Sequence, residues 1–170
     1  MLDPFGTAAD RFRLPATGPT DDMHPGWPES TPFVRLPAST VFPSGARMRL
    51  RPLLRSDGHE WRRQRIEDES FLRSVEPTQA APWAAAHSQQ AWWNHLMYLR
   101  TAAREALVVP LVIEVEGQFV GQITLGNIQH GSIRDCWIGY WVYSAIHGAG
   151  VATAATALGV DHAFGRVGLH

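Results

Sequence analysis

The sequence His147-Gly-Ala-Gly-Val-Ala-Thr153 has the residue types and spacing of an anion-binding loop. Its two glycines permit backbone conformations and close anion contact that a Cβ atom would obstruct. The small and apolar residues that continue to about Phe164 predict a helix. Because the first backbone N–H groups of a helix lack intrahelical partners and lie at its positive dipole end, this corner suits a phosphate or pyrophosphate. Thr153 adds a hydroxyl donor.

Three other interpretations of this loop can be compared with the sequence. A dinucleotide-binding unit requires Gly-x-Gly-x-x-Gly or Ala after the first strand of a βαβ unit, whereas Thr153 stands at the last position and the strand before it ends an antiparallel meander. A P-loop requires a lysine, and all 15 basic residues of this chain are arginine. A turn that binds no ligand is the third alternative, and the loop alone does not exclude it.

The composition narrows the class of protein. The chain has 170 residues, 45% of them hydrophobic and 18% charged, which predicts one packed domain. A net charge of −1 does not favour nucleic acid as a partner, and the apolar runs are too short to cross a membrane. The N-terminus lacks the pattern of a secretory signal, and the single Cys136 fits a reducing compartment. We expect a cytoplasmic protein that is a monomer or a homodimer.

The first 45 residues differ in composition from the rest. They hold eight of the 12 prolines and show no helical or strand periodicity. Since proline fixes φ and removes a backbone donor, we predict an extended or disordered arm over residues 1–45, from which Trp27 and Phe33 can pack on the domain. The domain itself is predicted over residues 46–170.

Periodicity predicts the first elements of the domain. Arg47–Leu54 alternates arginine with apolar residues or proline, which predicts a half-buried edge strand. Asp57 and Glu60 have the spacing of a capping box, so we predict a helix over 58–68. Apolar residues at helical spacing predict a long helix over 83–107.

Three strands then follow without an intervening helix. They are predicted at Pro110–Val115, 118–128 and Ile133–Tyr143, joined by short turns, so they should pair as an antiparallel meander. Gly121 and Gly126 within the second strand are typical of bulges or of a close backbone approach. The sequence therefore predicts a mixed α+β fold.

A few further residues can do chemistry. Glu76 precedes Pro77 in a loop between helices, where it is either a surface carboxylate or a base in a substrate cleft. His87 and His95 are too far apart for an i, i+4 ligand pair, and no other ligands converge with them, so no metal site is predicted. Cys136 is more typical of a buried strand residue than of a nucleophile.

His147–Ala152 resembles the Q/R-x-x-G-x-G/A acetyl-CoA motif of the GNAT N-acetyltransferases, with His in place of Gln or Arg at the first position. Ile138–Val142 and Asp161–Gly165 are similar to segments of the branch that acetylates protein N-termini, the ribosomal-protein-alanine (RimJ/RimL-like) acetyltransferases. The resemblance covers about Arg47–His170 and includes the order of the predicted elements.

The resemblance implies a GNAT-like twisted, mostly antiparallel sheet flanked by helices. The strand that ends near residue 143 would splay from its neighbour and hydrogen-bond the pantetheine arm of acetyl-CoA, and the loop after it would wrap the pyrophosphate. The implied cofactor-binding residues are Trp141, Val142, Tyr143, His147, Gly148, Ala149, Gly150, Val151, Ala152 and Thr153. The family's sheet continues with another strand, a helix and a hairpin, so we expect the C-terminal part of the domain to be missing from this chain.

The implied reaction is direct acetyl transfer to a deprotonated amine, helped by proximity, an oxyanion donor and a proton acceptor. The expected acceptor is a protein or peptide N-terminal α-amine, such as that of a ribosomal protein, which enters between the 71–77 loop and the meander. Glu76 is the candidate proton acceptor and Tyr140 is an alternative catalytic residue. Two other functions stay open: a small-molecule (polyamine or drug) acetyltransferase and a non-catalytic acyl-CoA-binding module.

Overall fold

The computed structural model describes residues 26–78 and 80–170. In chain order its strands and helices are β1 (Val34–Leu36), β2 (Ala46–Pro52), α1 (Gly58–Glu67), α2 (Glu69–Leu72), α3 (Trp83–Ala86), α4 (Gln89–Arg104), β3 (Val109–Val115), β4 (Gln118–Gly126), β5 (Trp137–Val142) and α5 (Val151–His162). A π-helical turn, Ala163–Val167, continues α5.

The five strands form one antiparallel sheet in the order β1-β2-β3-β4-β5. The register places Val112 of β3 opposite Gln122 of β4, and Gln122 opposite Trp141 of β5. Strand β5 is the last strand of the described sheet. The predicted mixed α+β architecture with an antiparallel meander is confirmed.

Helices cover both faces of this sheet. Alternate residues of β3 point to opposite sides, so Leu111 and Ile113 join the core beneath α5, while Val112 joins Trp61 and Trp92 beneath α1 and α4. Trp92 is fully buried, and burying a large apolar side chain contributes about 2–3 kcal/mol. The sheet therefore separates two cores, one on the side of α5 and one on the side of α1 and α4.

Two expectations for the N-terminal half are wrong. Val34–Leu36 forms β1 although the proline-rich segment was expected to lack strand, and it pairs with β2 through Val34 and Met48. Strand β2 is therefore not an edge strand, because it lies between β1 and β3. Pairing with β2 gives this segment its strand conformation, and the proline-rich composition does not reveal it.

Residues before β1 also pack on the domain, as expected for the two aromatic side chains. Trp27 is buried, and Phe33 lies under the guanidinium groups of Arg47 and Arg49, at 4.2 and 4.7 Å. His162 at the end of α5 bonds through Nε2 to the carbonyl oxygen of Gly26 at 2.6 Å. Residues 1–25 of the predicted arm lie outside the described residues, and the division of the chain at residue 45 stays a prediction.

The predicted capping box at α1 is wrong. The Asp57 carboxylate does not cap the helix but accepts two hydrogen bonds of 2.9 Å from the Arg51 guanidinium and one of 2.7 Å from the Leu54 N–H. A buried arginine offers this carboxylate a bidentate, charge-assisted pairing that is stronger than a cap. Helix α1 itself begins at Gly58, as predicted.

The long helix predicted over 83–107 is two helices, α3 and α4. The Ser88 hydroxyl accepts a hydrogen bond of 3.2 Å from the Ala91 N–H, so it caps α4, and the chain breaks direction at His87. No helix in the described ranges is both long and apolar enough to cross a membrane.

Gly121 and Gly126 mark close approaches, as predicted. A Cβ atom on Gly121, whose φ is +156°, would lie 2.3 Å from the carbonyl oxygen of Trp141. A Cβ atom on Gly126 would lie 2.2 Å from the Trp137 ring. These two glycines therefore let β5 pack closely against β4.

Candidate active site

The loop between β5 and α5 is fixed at its start. The Tyr143 N–H donates to the Val120 carbonyl at 2.9 Å, which extends the β4–β5 ladder by one residue. The buried Asp68 then accepts hydrogen bonds from the Ser144 N–H at 2.8 Å and from its hydroxyl at 2.5 Å. The turn that leads into the loop is thereby held to the junction of α1 and α2.

The two glycines of the loop leave open space, as an anion-binding loop requires. Gly148 and Gly150 have φ of +78° and +76°, and among the described residues no atom lies within 4 Å of a Cβ built on either. Gly150 is the N-cap of α5, so the N–H groups of Val151–Thr153 begin that helix and are available to an anion. The residues present therefore fit the pyrophosphate of CoA.

The side chains of the loop divide into two groups. Ala149 and Val151 are buried in the core beneath α5, so only their backbones can meet a ligand. Thr153 is exposed on the first turn of α5. The predicted role of its hydroxyl as a donor to the cofactor stays a prediction.

In the described part of the chain, the outer edge of strand β5 next to the loop pairs with no other strand. Because the Tyr143 N–H points to β4, the backbone groups of Val142 and Tyr140 point the other way, to the outer edge. At this edge, Nε2 of His147 lies 3.0 Å from the Val142 carbonyl oxygen, within hydrogen-bond distance. This row of outward N–H and C=O groups is what an extended pantetheine arm needs for backbone hydrogen bonds.

A network of charges holds the end of β5 to α1. The Tyr143 hydroxyl donates to Glu67 and accepts from Arg63 Nη1 at 3.2 Å. Arg63 also binds Glu60 at 2.7 Å, and this hydrogen bond is the main cause that lowers the pKa of Glu60 to about 2. The hydrogen bond to Glu67 raises the pKa of Tyr143. The Tyr143 side chain is therefore engaged with α1.

A cavity of about 720 Å³ lies on the α1 and α4 side of the sheet, against β4 and β5. Its walls combine aromatic and apolar side chains with several polar ones. The residues that line it include Trp61, Arg65, Glu76, His95, Gln122, Tyr140 and Trp141. The cavity reaches β5, so a molecule within it would meet the strand that leads to the loop.

Both predicted catalytic residues line this cavity, and their roles stay predictions. Both oxygens of Glu76 accept hydrogen bonds from Nη2 of Arg65, at 2.5 Å to Oε1. The Arg65 side chain is only 8% exposed and packs near the rings of Trp61 and Trp141, at 5.4 and 5.3 Å. Tyr140 lies on the edge strand and is 53% exposed.

Two histidines that were not predicted as site residues also line the cavity. Burial is the main cause that lowers the pKa of His87 and of His95. Nδ1 of His87 is hydrogen-bonded to the Trp83 carbonyl oxygen at 2.7 Å, and Nε2 of His95 is hydrogen-bonded to Oε1 of Gln122 at 3.3 Å. Within the described chain no cluster of His, Cys, Asp or Glu could hold a metal ion.

Comparison with known proteins identifies the family. A family model described as an acetyltransferase (GNAT) domain matches residues 47–170. A search of curated proteins gave no match. Among solved structures, Mycobacterium smegmatis RimJ in complex with CoA-disulfide is similar, with 42% identity and a TM-score of 0.80, over 86% of this chain and 67% of that chain.

Two more distant structures share the fold. The ribosomal-protein-S5-alanine acetyltransferase of Vibrio fischeri has 18% identity and a TM-score of 0.60, over 77% of this chain and 67% of that chain. A Salmonella typhimurium acetyltransferase, described as modifying the N-terminal serine of ribosomal protein L7/L12, has 15% identity and a TM-score of 0.57, over 76% and 67%. The resemblance found in the sequence is confirmed: this chain belongs to the GNAT acetyltransferases, enzymes that take an acetyl group from acetyl-CoA.

Proposed function

We propose that this chain acetylates the N-terminal α-amine of a protein or peptide, of the ribosomal-protein-alanine type. The observation that supports this most is the charge of the cavity. Among the described residues that line it, Glu76 is the one carboxylate, and it is bound by Arg65. A polyamine carries several ammonium groups and needs free carboxylates, since buried charges require partners. A peptide N-terminus brings one amine, which suits a cavity with little net charge.

The relatives support the same acceptor class. Two of the similar structures are described as acetyltransferases of ribosomal proteins, one acting on an alanine and one on a serine. An acceptor of this kind would place the reaction in the cytoplasm.

The cofactor side of the proposed site consists of β5 and the loop that follows it. When bound, acetyl-CoA supplies the acetyl group as a thioester. The backbone of Gly148–Thr153 would hold the pyrophosphate, and the outward groups of Tyr140 and Val142 would bond the pantetheine arm. An outward N–H of β5 would also serve as the oxyanion donor, because it is fixed by the sheet before the reaction begins.

The acceptor side consists of the cavity walls. Trp61 and Trp141 exclude water and confine the peptide, which brings the amine to β5 and supplies proximity. Glu76 and Tyr140 both border this space, so both remain candidates for the proton transfers. The Arg65–Glu76 pair also fixes the 71–77 loop to α1, since Arg65 is an α1 residue.

The test combines binding with turnover. Calorimetry with acetyl-CoA measures the cofactor site, and thiol release with peptides that begin with alanine or serine measures transfer. N-acetylated copies of the same peptides are the matched controls, and spermidine is the competing acceptor. We expect thiol release with the free peptides alone. Tight cofactor binding without turnover on any peptide would favour the non-catalytic module, and transfer to spermidine alone would favour the small-molecule enzyme.

A further inference from the structure

We propose that His95 is the catalytic residue that accepts a proton from the α-ammonium group of the acceptor, with Gln122 orienting its ring. This inference rests on the proposed function. An N–H bond of the ammonium breaks, the proton goes to Nδ1 of His95, and the electron pair stays on the nitrogen. That pair forms the new C–N bond as the C–S bond breaks. A second amine proton goes to the departing sulfur, and His95 returns its proton to water.

The position of the His95 ring supports this role. Its ring lines the cavity from α4 and stacks on Trp61, with ring centroids 5.5 Å apart and planes at 25°. Oε1 of Gln122 lies 3.3 Å from Nε2 of His95 and accepts its hydrogen, so Nδ1 of the neutral ring keeps the lone pair. Nε2 of Gln122 lies 3.3 Å from the Thr124 hydroxyl, so the amide is also tied to a second side chain of β4.

The register of the sheet also supports this role. Gln122 stands opposite Trp141 in the β4–β5 register. Residues directly opposite in an antiparallel pair have Cα atoms about 4.5–5.5 Å apart. The partner of His95 therefore lies on the strand next to β5, which is the strand proposed to hold the pantetheine arm.

The charges around His95 favour a neutral ring. Burial is the main cause that lowers its pKa, and Arg65 of α1 and His87 lower it further. The hydrogen bond to Gln122 of β4 and the charge of Glu76 act in the opposite direction. A free α-amine has a pKa of about 7.7–8.0, so near neutral pH the acceptor carries the proton and the imidazole can take it.

The two candidates from the sequence are less well placed for this step. Both oxygens of Glu76 already accept hydrogen bonds from Arg65. Tyr140 lies on the outer edge of β5 and is half exposed. His95 combines an acceptor atom, a hydrogen bond to Gln122 and a place on the cavity wall.

The kinetic test uses His95→Gln in the full chain, with His59→Gln as the matched control, because His59 is 80% exposed and does not line the cavity. We expect kcat/KM for an alanine-starting peptide to fall about 100-fold or more at pH 7 in His95→Gln and to stay at the wild-type value in the control. The deficit should shrink near pH 9.5, where the peptide amine loses its proton to water. CoA affinity should not change in either variant. A wild-type rate and pH profile in His95→Gln would overturn the proposal.

A second measurement does not depend on turnover. NMR titration of the imidazole nitrogens in the protein without ligands should show the Nε2–H tautomer and a pKa below 6.5 for His95. Gln122→Glu should raise that pKa, because it places a carboxylate on Nε2–H. A ring that titrates above 7 or carries its hydrogen on Nδ1 would overturn the proposal. Wild-type protein that acetylates no peptide counts instead against the proposed function, and the titration then still decides the state of His95.

Discussion

Gly150→Glu tests the assignment of the cofactor loop directly. Gly150 has φ of +76°, so any side chain costs about 1–2 kcal/mol of folding stability, but the space around it is open and no contact is broken. A carboxylate about 5 Å from a phosphate charge is repelled by about 1–3 kcal/mol for effective dielectric constants between 80 and 20. Each phosphate charge at that distance therefore weakens CoA binding by about 5- to 200-fold.

Calorimetry with CoA measures this loss, and two variants separate its causes. Gly150→Ala has the same backbone strain without the charge, so its difference from Gly150→Glu is electrostatic and should shrink in about 1 M salt, where the Debye length is about 3 Å. Gly117→Glu is the matched control, because Gly117 has φ of +79° and open surroundings but lies in the β3–β4 turn. We expect it to bind CoA like the wild type. Unchanged affinity in Gly150→Glu would refute the assignment.

Three other substitutions test the site and its support. Gly121→Ala should lower the free energy of unfolding, measured by urea denaturation, by at least about 2 kcal/mol, because the alanine Cβ would lie 2.3 Å from the Trp141 carbonyl oxygen. A smaller loss would show that β5 can move away from β4. Glu76→Gln should destabilise the domain by about 1–3 kcal/mol, because it leaves the buried Arg65 without a charged partner. The same change should lower the turnover rate more than the affinity for CoA. A wild-type rate from about pH 6 to 9 would show that Glu76 takes no part in the reaction. Burial lowers the pKa of His162 in the folded protein. The stabilisation that the neutral His162 side chain contributes is therefore complete above about pH 6.5 and is lost as the pH falls below that value. The melting temperature should drop between about pH 7 and 5, and it should drop less in His162→Gln.

The parts of the fold that sequence reasoning found are those with local signals. The turn between β3 and β4 is an example, since Glu116 and Gly117 have φ of +48° and +79°, the two positive values of a type I′ hairpin turn. The loop glycines at 148 and 150 are another, because helix N-termini that bind anions depend on a few adjacent residues. The short connections between the strands also left few alternatives to a meander.

The parts that sequence reasoning missed depend on side chains that belong to different elements of the fold. Asp57 has the spacing of a cap, but the buried Arg51 of β2 competes for its carboxylate. Asp68 holds a turn that lies 76 residues later. His95 lies on the predicted long helix, but its polar partner Gln122 lies 27 residues away on a strand. The spacing of residue types along the chain does not reveal such pairs.

The segment before β1 affects where the domain should be taken to begin. The family match begins at residue 47, but residues before it already pack on the domain. Gly26 lies within hydrogen-bond distance of His162, and Glu29 forms an ion pair of 2.8 Å with Arg166. These contacts support the far end of the helix whose other end forms the proposed cofactor site. A chain started at the aligned boundary would keep every motif of the family but expose the surface that Trp27 covers. The segment matched by the family model is therefore shorter than the part of the chain that packs as one unit.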